Sequence, residues 1–201
     1  MPMASVSKPN LMSSPIIVIG NTVPCGTYLL RMHLSKNVEL SFGRFKNAKL
    51  ISLIVGDYIY IGSAMAQKGA TSLAHRLIRH STRTDNQPPH SIRADLITTL
   101  QSLNLLSEKY TPPTSKKLFW NIDHFLDYPA VSLQQIFMIR FAIPLETTLA
   151  EMLENDPHTI IFEKGLGAND SRGHTHLLRI ESDERWWGNL PQRLSDLLSQ
   201  S

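Results

Sequence analysis

Tyr60 is the second tyrosine in a short alternation of tyrosine and isoleucine in the stretch DYIYIGSAMAQKG, two residues before Gly62. Alternation of this kind suits a strand, and it sends Tyr58 and Tyr60 to one face and Ile59 and Ile61 to the other. A phenol there has two uses. It can fill core with its hydroxyl satisfied, or it can be presented to a substrate as a proton donor or acceptor. Arg76 and His80 follow at i,i+4 spacing, one above the other on a helix face. Glu146 stands in the first turn of a later helix, where an acid also meets the macrodipole favourably for purely local reasons. Taken singly, each group has a structural reading: Tyr28, in line with Leu30 and Met32, as a core aromatic, and Arg76 and His80 as a solvated face.

The elements that must position these groups are legible in outline. GTYLLRMHL places Tyr28, Leu30, Met32 and Leu34 on one face and Arg31 and His33 on the other. VELSFGRF repeats the pattern after a short SKN connection, which predicts an antiparallel hairpin between these two strands, with DYIYIGSA as a third strand. ATSLAHRLIRH predicts a helix capped by Thr71 or Ser72, with Ala70, Leu73, Leu77 and Ile78 as its apolar stripe. The proline pairs Pro88–Pro89 and Pro112–Pro113 bracket a helical excursion carrying Ile92, Leu96, Leu100 and Leu103. QQIFMIRFAI predicts a strand. A helix starting at Pro144 follows, with Leu145, Leu149, Met152 and Leu153 facing core. HLLRI is a last short strand, and the tail forms a short amphipathic helix through Leu190, Leu194, Leu197 and Leu198. The order predicts an α+β fold: a central, mostly antiparallel sheet flanked by helices. The expected organisation is a disordered segment over 1–15, a domain over 16–182 with a helical insertion at 84–115, and an amphipathic tail over 183–201.

Composition narrows the function classes. The 201 residues are long enough to bury a real core. The 20 basic and 17 acidic residues leave a net charge of +3, which permits nucleic-acid binding without a charge block that would demand it. Cys25 is the single cysteine, so no intramolecular disulfide can form, and a reducing, cytoplasmic setting is expected. No apolar run approaches the roughly 20 residues that span a bilayer. PIIVIG is too short for a signal core and lacks a basic flank, so no membrane association is expected.

GTY at 26–28 and YIG at 60–62 resemble the two signatures of the GIY-YIG nuclease superfamily. Arg76 on the next helix, His80 one turn on, and Glu146 opening a later helix continue the match in order. YIYIGSA, RLIRH, WNIDHFL and GLGANDSRGHTHL are similar to an uncharacterised subfamily of GIY-YIG-like domains from archaea and bacteria, over roughly residues 26–180. The resemblance implies a metal-dependent endonuclease hydrolysing phosphodiester bonds, with DNA as the expected substrate. It makes Tyr28, Tyr60, Arg76, His80 and Glu146 the catalytic set. Glu146 would be the ligand of a Mg²⁺ or Mn²⁺ ion, a hard cation that keeps several waters. Arg76 would clamp the scissile phosphate, and the two phenols would surround the attacking water. A phenol of ordinary pKa about 10 needs a nearby cation to act as a base at neutral pH. Gly62 keeps the strand end bare for close approach, and Ser63, Arg79 and Asn169 are further candidates for substrate contact. The alternative on the same scaffold is a non-catalytic nucleic-acid-binding or repair-accessory module, with a repair protein as partner. A protein-interaction adaptor using the tail and the insertion is a third reading.

Other groups carry less. His174 and His176 sit two apart, as strand-borne metal ligands might, but two histidines are too few for a structural zinc site. Asp170 beside Asn169 suits a turn. Asp123 follows the subfamily's HID pattern, with Asn121 in place of its first histidine, and the resemblance gives it no chemical role. Trp186 and Trp187 can stack on bases or pack the tail onto the domain, the second use being the simpler.

Overall fold

The computed structural model describes residues 14–168 and 173–200. The expected disordered segment therefore lies almost wholly outside the described residues, as do Asn169 and Asp170. Eight strands and five helices run β1 (Ile16–Gly20), β2 (Gly26–Leu34), β3 (Val38–Ser41), β4 (Leu50–Leu53), β5 (Gly56–Ala64), α1 (Leu73–Ser81), α2 (Arg93–Ser102), α3 (Asn121–Asp127), β6 (Val131–Arg140), α4 (Glu146–Glu154), β7 (Thr159–Ile160), β8 (Leu177–Ile180) and α5 (Glu184–Ser199). Six strands form one sheet in the order β1-β6-β2-β5-β8-β7. Only the β1–β6 pair is parallel, so the fold is α+β with a mainly antiparallel sheet. None of the described helices is long and apolar enough to cross a membrane.

The pairing corrects one expectation. β2 and β3 do not form a hairpin. β3 pairs with β4 in a separate two-stranded ribbon, while β2 is flanked by β5 and β6 along its whole length. The physical reason is that β2 is buried on both sides: Leu29 faces one core and Tyr28, Leu30 and Met32 the other, each with no measurable exposure. Nine residues, seven of them buried, need long partners on both edges to satisfy their backbone groups, and the four residues of β3 cannot supply one. PIIVIG, excluded as a signal core, is the edge strand β1.

Helices cover both faces. On one, α1, α2 and α3 pack on Tyr28, Leu30, Met32, Tyr58 and Tyr60. On the other, α4 and α5 pack on Leu29, Ile59, Ile61, Phe137 and Ile139. The insertion is a wall of the first core. Ile92, Leu96 and Leu100 are buried, and burying each such side chain is worth about 1.5–3 kcal/mol. His90 fastens the segment: its Nδ1 accepts the Leu133 N–H at 3.1 Å, which leaves Nε2–H to donate to the Leu126 carbonyl at 2.9 Å. The tail is likewise integral. Asp183 caps α5 by accepting from the N–H groups of Arg185 and Trp186, and Trp186, Trp187, Leu190 and Leu194 close the second core. The tryptophan pair is packing, not a free stacking surface.

Candidate active site

The site grows from one register. Tyr28 on β2 lies directly opposite Gly62 on β5, and Leu30 lies opposite Tyr60. Side-chain alternation then points Tyr28 and Tyr60 to the same face, toward α1. That helix carries Arg76 and His80 on one side, and its apolar stripe of Leu73, Leu77 and Ile78 holds it against the sheet. His80 is turned inward and only 1% exposed. Its Nε2 shares a 2.8 Å hydrogen bond with the Tyr28 hydroxyl. The three rings of Tyr28, Tyr60 and His80 form a triangle, with centroids 5.4–6.4 Å apart.

In front of this triangle is a cavity of about 30 Å³, room for a water or two. Its walls are Tyr60, Arg76, Trp120, Asn121, Glu146, Gly167 and His176. The Arg76 guanidinium is stacked over the Trp120 ring, 4.3 Å from its centroid. Glu146 arrives as the first residue of α4, whose start is held by the Thr27 hydroxyl accepting the Leu145 N–H at 3.0 Å. Gly167 is the close-approach residue of the loop opposite. Its φ is +86°, and an added Cβ would sit 3.2 Å from the Tyr60 ring. A guanidinium and a carboxylate from distant segments thus face one small space.

Of the residues singled out from sequence, Tyr60, Arg76 and Glu146 line the cavity. Tyr28 and His80 stand immediately behind Tyr60. Gly62 does make room, but the space is filled by the Tyr28 ring, since an added Cβ would lie 2.5 Å from its hydroxyl oxygen. Ser63 follows Gly62 on β5 and so faces the opposite layer, paired with Thr27. Arg79 turns away to donate to Asp123 at 2.7 Å and to the Lys117 carbonyl. Asn169 lies outside the described residues. Trp120 and Gly167 entered the sequence reading only inside the quoted stretches WNIDHFL and GLGANDSRGHTHL, Asn121 only as a departure from a pattern, and His176 only as half of a histidine pair. The two histidines diverge: His174 contacts Glu154 at 3.0 Å, whereas His176 lines the cavity.

Electrostatics sets what these groups can do. Burial pushes the Tyr28 phenol above its ordinary value, and the Arg76 guanidinium opposes this without cancelling it. Burial raises Tyr60 well above 10, with Tyr28 and Glu146 adding to the effect. Burial also takes His80 down to about 3, against the pull of Asp123 and with the help of Lys116, Arg76 and Arg79. At neutral pH both phenols keep their protons and His80 is uncharged. The phenols are therefore hydrogen-bonding groups rather than ready bases.

Behind α1 lies a second charged cluster. Asp123 is fully buried, and its Oδ2 accepts the N–H groups of Phe119 and Trp120 at 2.9 and 3.0 Å in addition to Arg79. Lys116, itself buried, sits 3.2 Å from Oδ1. This carboxylate pins the strap 116–120 that carries Trp120 to the cavity. Asp123 is thus a structural counterion.

The chain matches no curated protein and no solved structure. A family model, Domain of unknown function DUF123, matches residues 27–198, and the chain belongs to that family.

Proposed function

We propose that the chain is a divalent-metal-dependent endonuclease of the GIY-YIG type, hydrolysing phosphodiester bonds in DNA. The observation that carries this reading is the convergence of Tyr60, Arg76 and Glu146 on one small cavity, with the Tyr28–His80 pair directly behind it. Hydrolysis adds water across the phosphorus–oxygen bond: the water oxygen bonds to phosphorus, the bond to the leaving sugar oxygen breaks, and that oxygen gains a proton. Arg76 is suited to two non-bridging oxygens of the phosphate, because stacking on Trp120 fixes the plane of its fork. Tyr60 keeps its proton and donates to a phosphate oxygen. The Tyr28–His80 pair holds the Tyr60 ring in place.

The donor set fits a hard cation that retains most of its waters. Glu146 supplies a carboxylate and Asn121 a carboxamide oxygen, while no group of three His, Cys, Asp or Glu among the described residues makes a cage. When bound, Mg²⁺ or Mn²⁺ would polarise the phosphate and acidify a coordinated water. That contribution matters here, because neither phenol is ionised.

The test is to incubate the purified chain with nicked, branched and linear DNA in Mg²⁺ or Mn²⁺. Glu146→Gln and Tyr60→Phe are run alongside. Cleavage by the unsubstituted chain, lost in both variants while DNA binding persists, supports the reading. Cleavage equal in Glu146→Gln exposes a contaminant and removes it. Binding with no cleavage of any substrate favours the second reading, a nucleic-acid-binding or repair-accessory module, to which the narrow cavity and protonated phenols also lend support.

A further inference from the structure

Phe119 is 78% exposed, more than any other large apolar side chain among the described residues. It is not a loose end. Its N–H donates to the buried Asp123 carboxylate at 2.9 Å, and Trp120 donates to the same oxygen. The Phe119 ring meets the Trp120 ring edge-on, with centroids 4.9 Å apart and planes at 75°. Trp120 in turn lies beneath the Arg76 guanidinium and forms part of the cavity wall. A rigidly anchored aromatic face is thus held in water one ring away from Arg76.

Its surroundings decide the kind of partner. Lys117 is exposed two residues before it, and the Arg76 guanidinium lies over the Trp120 ring, while Lys116 and Arg79 are already paired with Asp123 and leave that cluster one positive charge in excess. A cationic setting of this kind complements a polyanion. An exposed π-face among cations is the recipe for single-stranded nucleic acid, where phosphates meet the charges and unstacked bases meet the ring. Bases inside a duplex have no face to offer.

We propose that Phe119, braced by Trp120, is a stacking platform for an unpaired nucleobase adjoining the phosphate at the Arg76–Glu146 cavity. The substrate class is then DNA with a single-stranded or extruded nucleotide at the scissile linkage. This inference rests on the nuclease reading for the position of the phosphate, but it is tested by binding alone.

The experiment measures anisotropy of labelled oligo-dT and of an abasic strand of equal length, both bound to Glu146→Gln protein at low salt. The expected result is that oligo-dT binds about ten-fold tighter than the abasic strand. Adding Phe119→Ala abolishes that preference, and Phe119→Trp restores it. Equal affinity for the two strands, a preference that survives Phe119→Ala, or failure to bind either strand overturns the platform. So does sedimentation showing self-association that Phe119→Ala removes, because the occupant would then be a second copy. A Phe119-dependent base preference with no cleavage of any DNA by the unsubstituted chain sinks the nuclease reading and leaves the platform. Cleavage without such a preference does the reverse.

Discussion

The hydroxyl oxygen of Tyr28 occupies the place that a side chain at position 62 would take: an ideal Cβ on Gly62 would stand 2.5 Å from it and 2.6 Å from the ring carbon that bears it. The two tripeptides GTY and YIG therefore act as one unit across the β2–β5 ladder. Gly62→Ala is expected to push the Tyr28 ring off its 2.8 Å contact with His80 and to cost about 1–3 kcal/mol through overpacking. Urea denaturation measures the cost. Because the penalty is mutual, Gly62→Ala combined with Tyr28→Ala should cost less than the sum of the single changes. Strict additivity would mean the two positions do not collide.

Acid should destabilise the fold well above the carboxylate range. Burial lowers both His80 and His90 to about 3, while in the unfolded chain each titrates near 6.5. Between those values the unfolded chain binds protons that the native chain refuses, so stability is full above pH 6.5 and falls as pH drops toward 3. Each histidine contributes a slope of up to about 1.4 kcal/mol per pH unit. For His90 the cause is concrete, since a protonated ring cannot accept the Leu133 N–H. Urea midpoints measured from pH 7 to pH 4 should fall steadily, and His90→Gln should flatten the decline while costing some stability at pH 7. A flat profile for the unsubstituted chain contradicts the buried, neutral assignment.

Periodicity made the local elements readable. Alternation in DYIYIGSA marked β5, and the apolar stripe through Leu73 and Leu77 marked α1 with Arg76 and His80 on a shared side. Pairing was not readable in the same way. Alternation says which residues share a face but is silent on which strand lies alongside, so the short connection after Leu34 suggested a hairpin that the double burial of β2 forbids. The cavity shows the same limit. Tyr60 drew attention by its place in an alternation, and Arg76 and Glu146 through the family resemblance, whereas Trp120 reaches the site only because Asp123 pins its strap from behind α1. Asp123 itself stood out in a pattern, but its role depends on Lys116 and Arg79, whose proximity is a property of the folded chain.

Removing one member of the Asp123 cluster should be far worse than removing two. Asp123→Asn leaves the Lys116 ammonium buried without a counterion. A broken buried pair costs about 3–5 kcal/mol, and an asparagine that keeps its oxygen toward the Phe119 and Trp120 N–H groups turns its NH2 toward the Lys116 ammonium. Adding Lys116→Met removes the stranded charge and should recover a substantial part of the loss. Thermal or urea denaturation of the single and double variants reads this directly. If Asp123→Asn is as stable as the unsubstituted chain, or the double variant is no better than the single one, the buried pair is not the strap's anchor.

Arg76→Lys separates charge from geometry. The ammonium keeps the positive charge at the cavity, but it offers a point where the guanidinium offers a fork, and it loses the flat stacking on Trp120. Loss of that stacking should cost no more than about 1 kcal/mol of stability at a partly exposed site. Retained charge should leave DNA affinity and its salt slope nearly unchanged, since the slope counts neutralised phosphates rather than their orientation. Cleavage is another matter. If the fork holds two phosphate oxygens as charge shifts during hydrolysis, its loss should slow single-turnover cleavage by about a hundred-fold. The readout is that rate beside the binding isotherm at two salt concentrations. A variant that binds and cuts at the original rate would show that Arg76 supplies only charge. One that loses affinity in step with rate would make it a binding residue, and the oriented clamp over Trp120 would have no part in the chemistry.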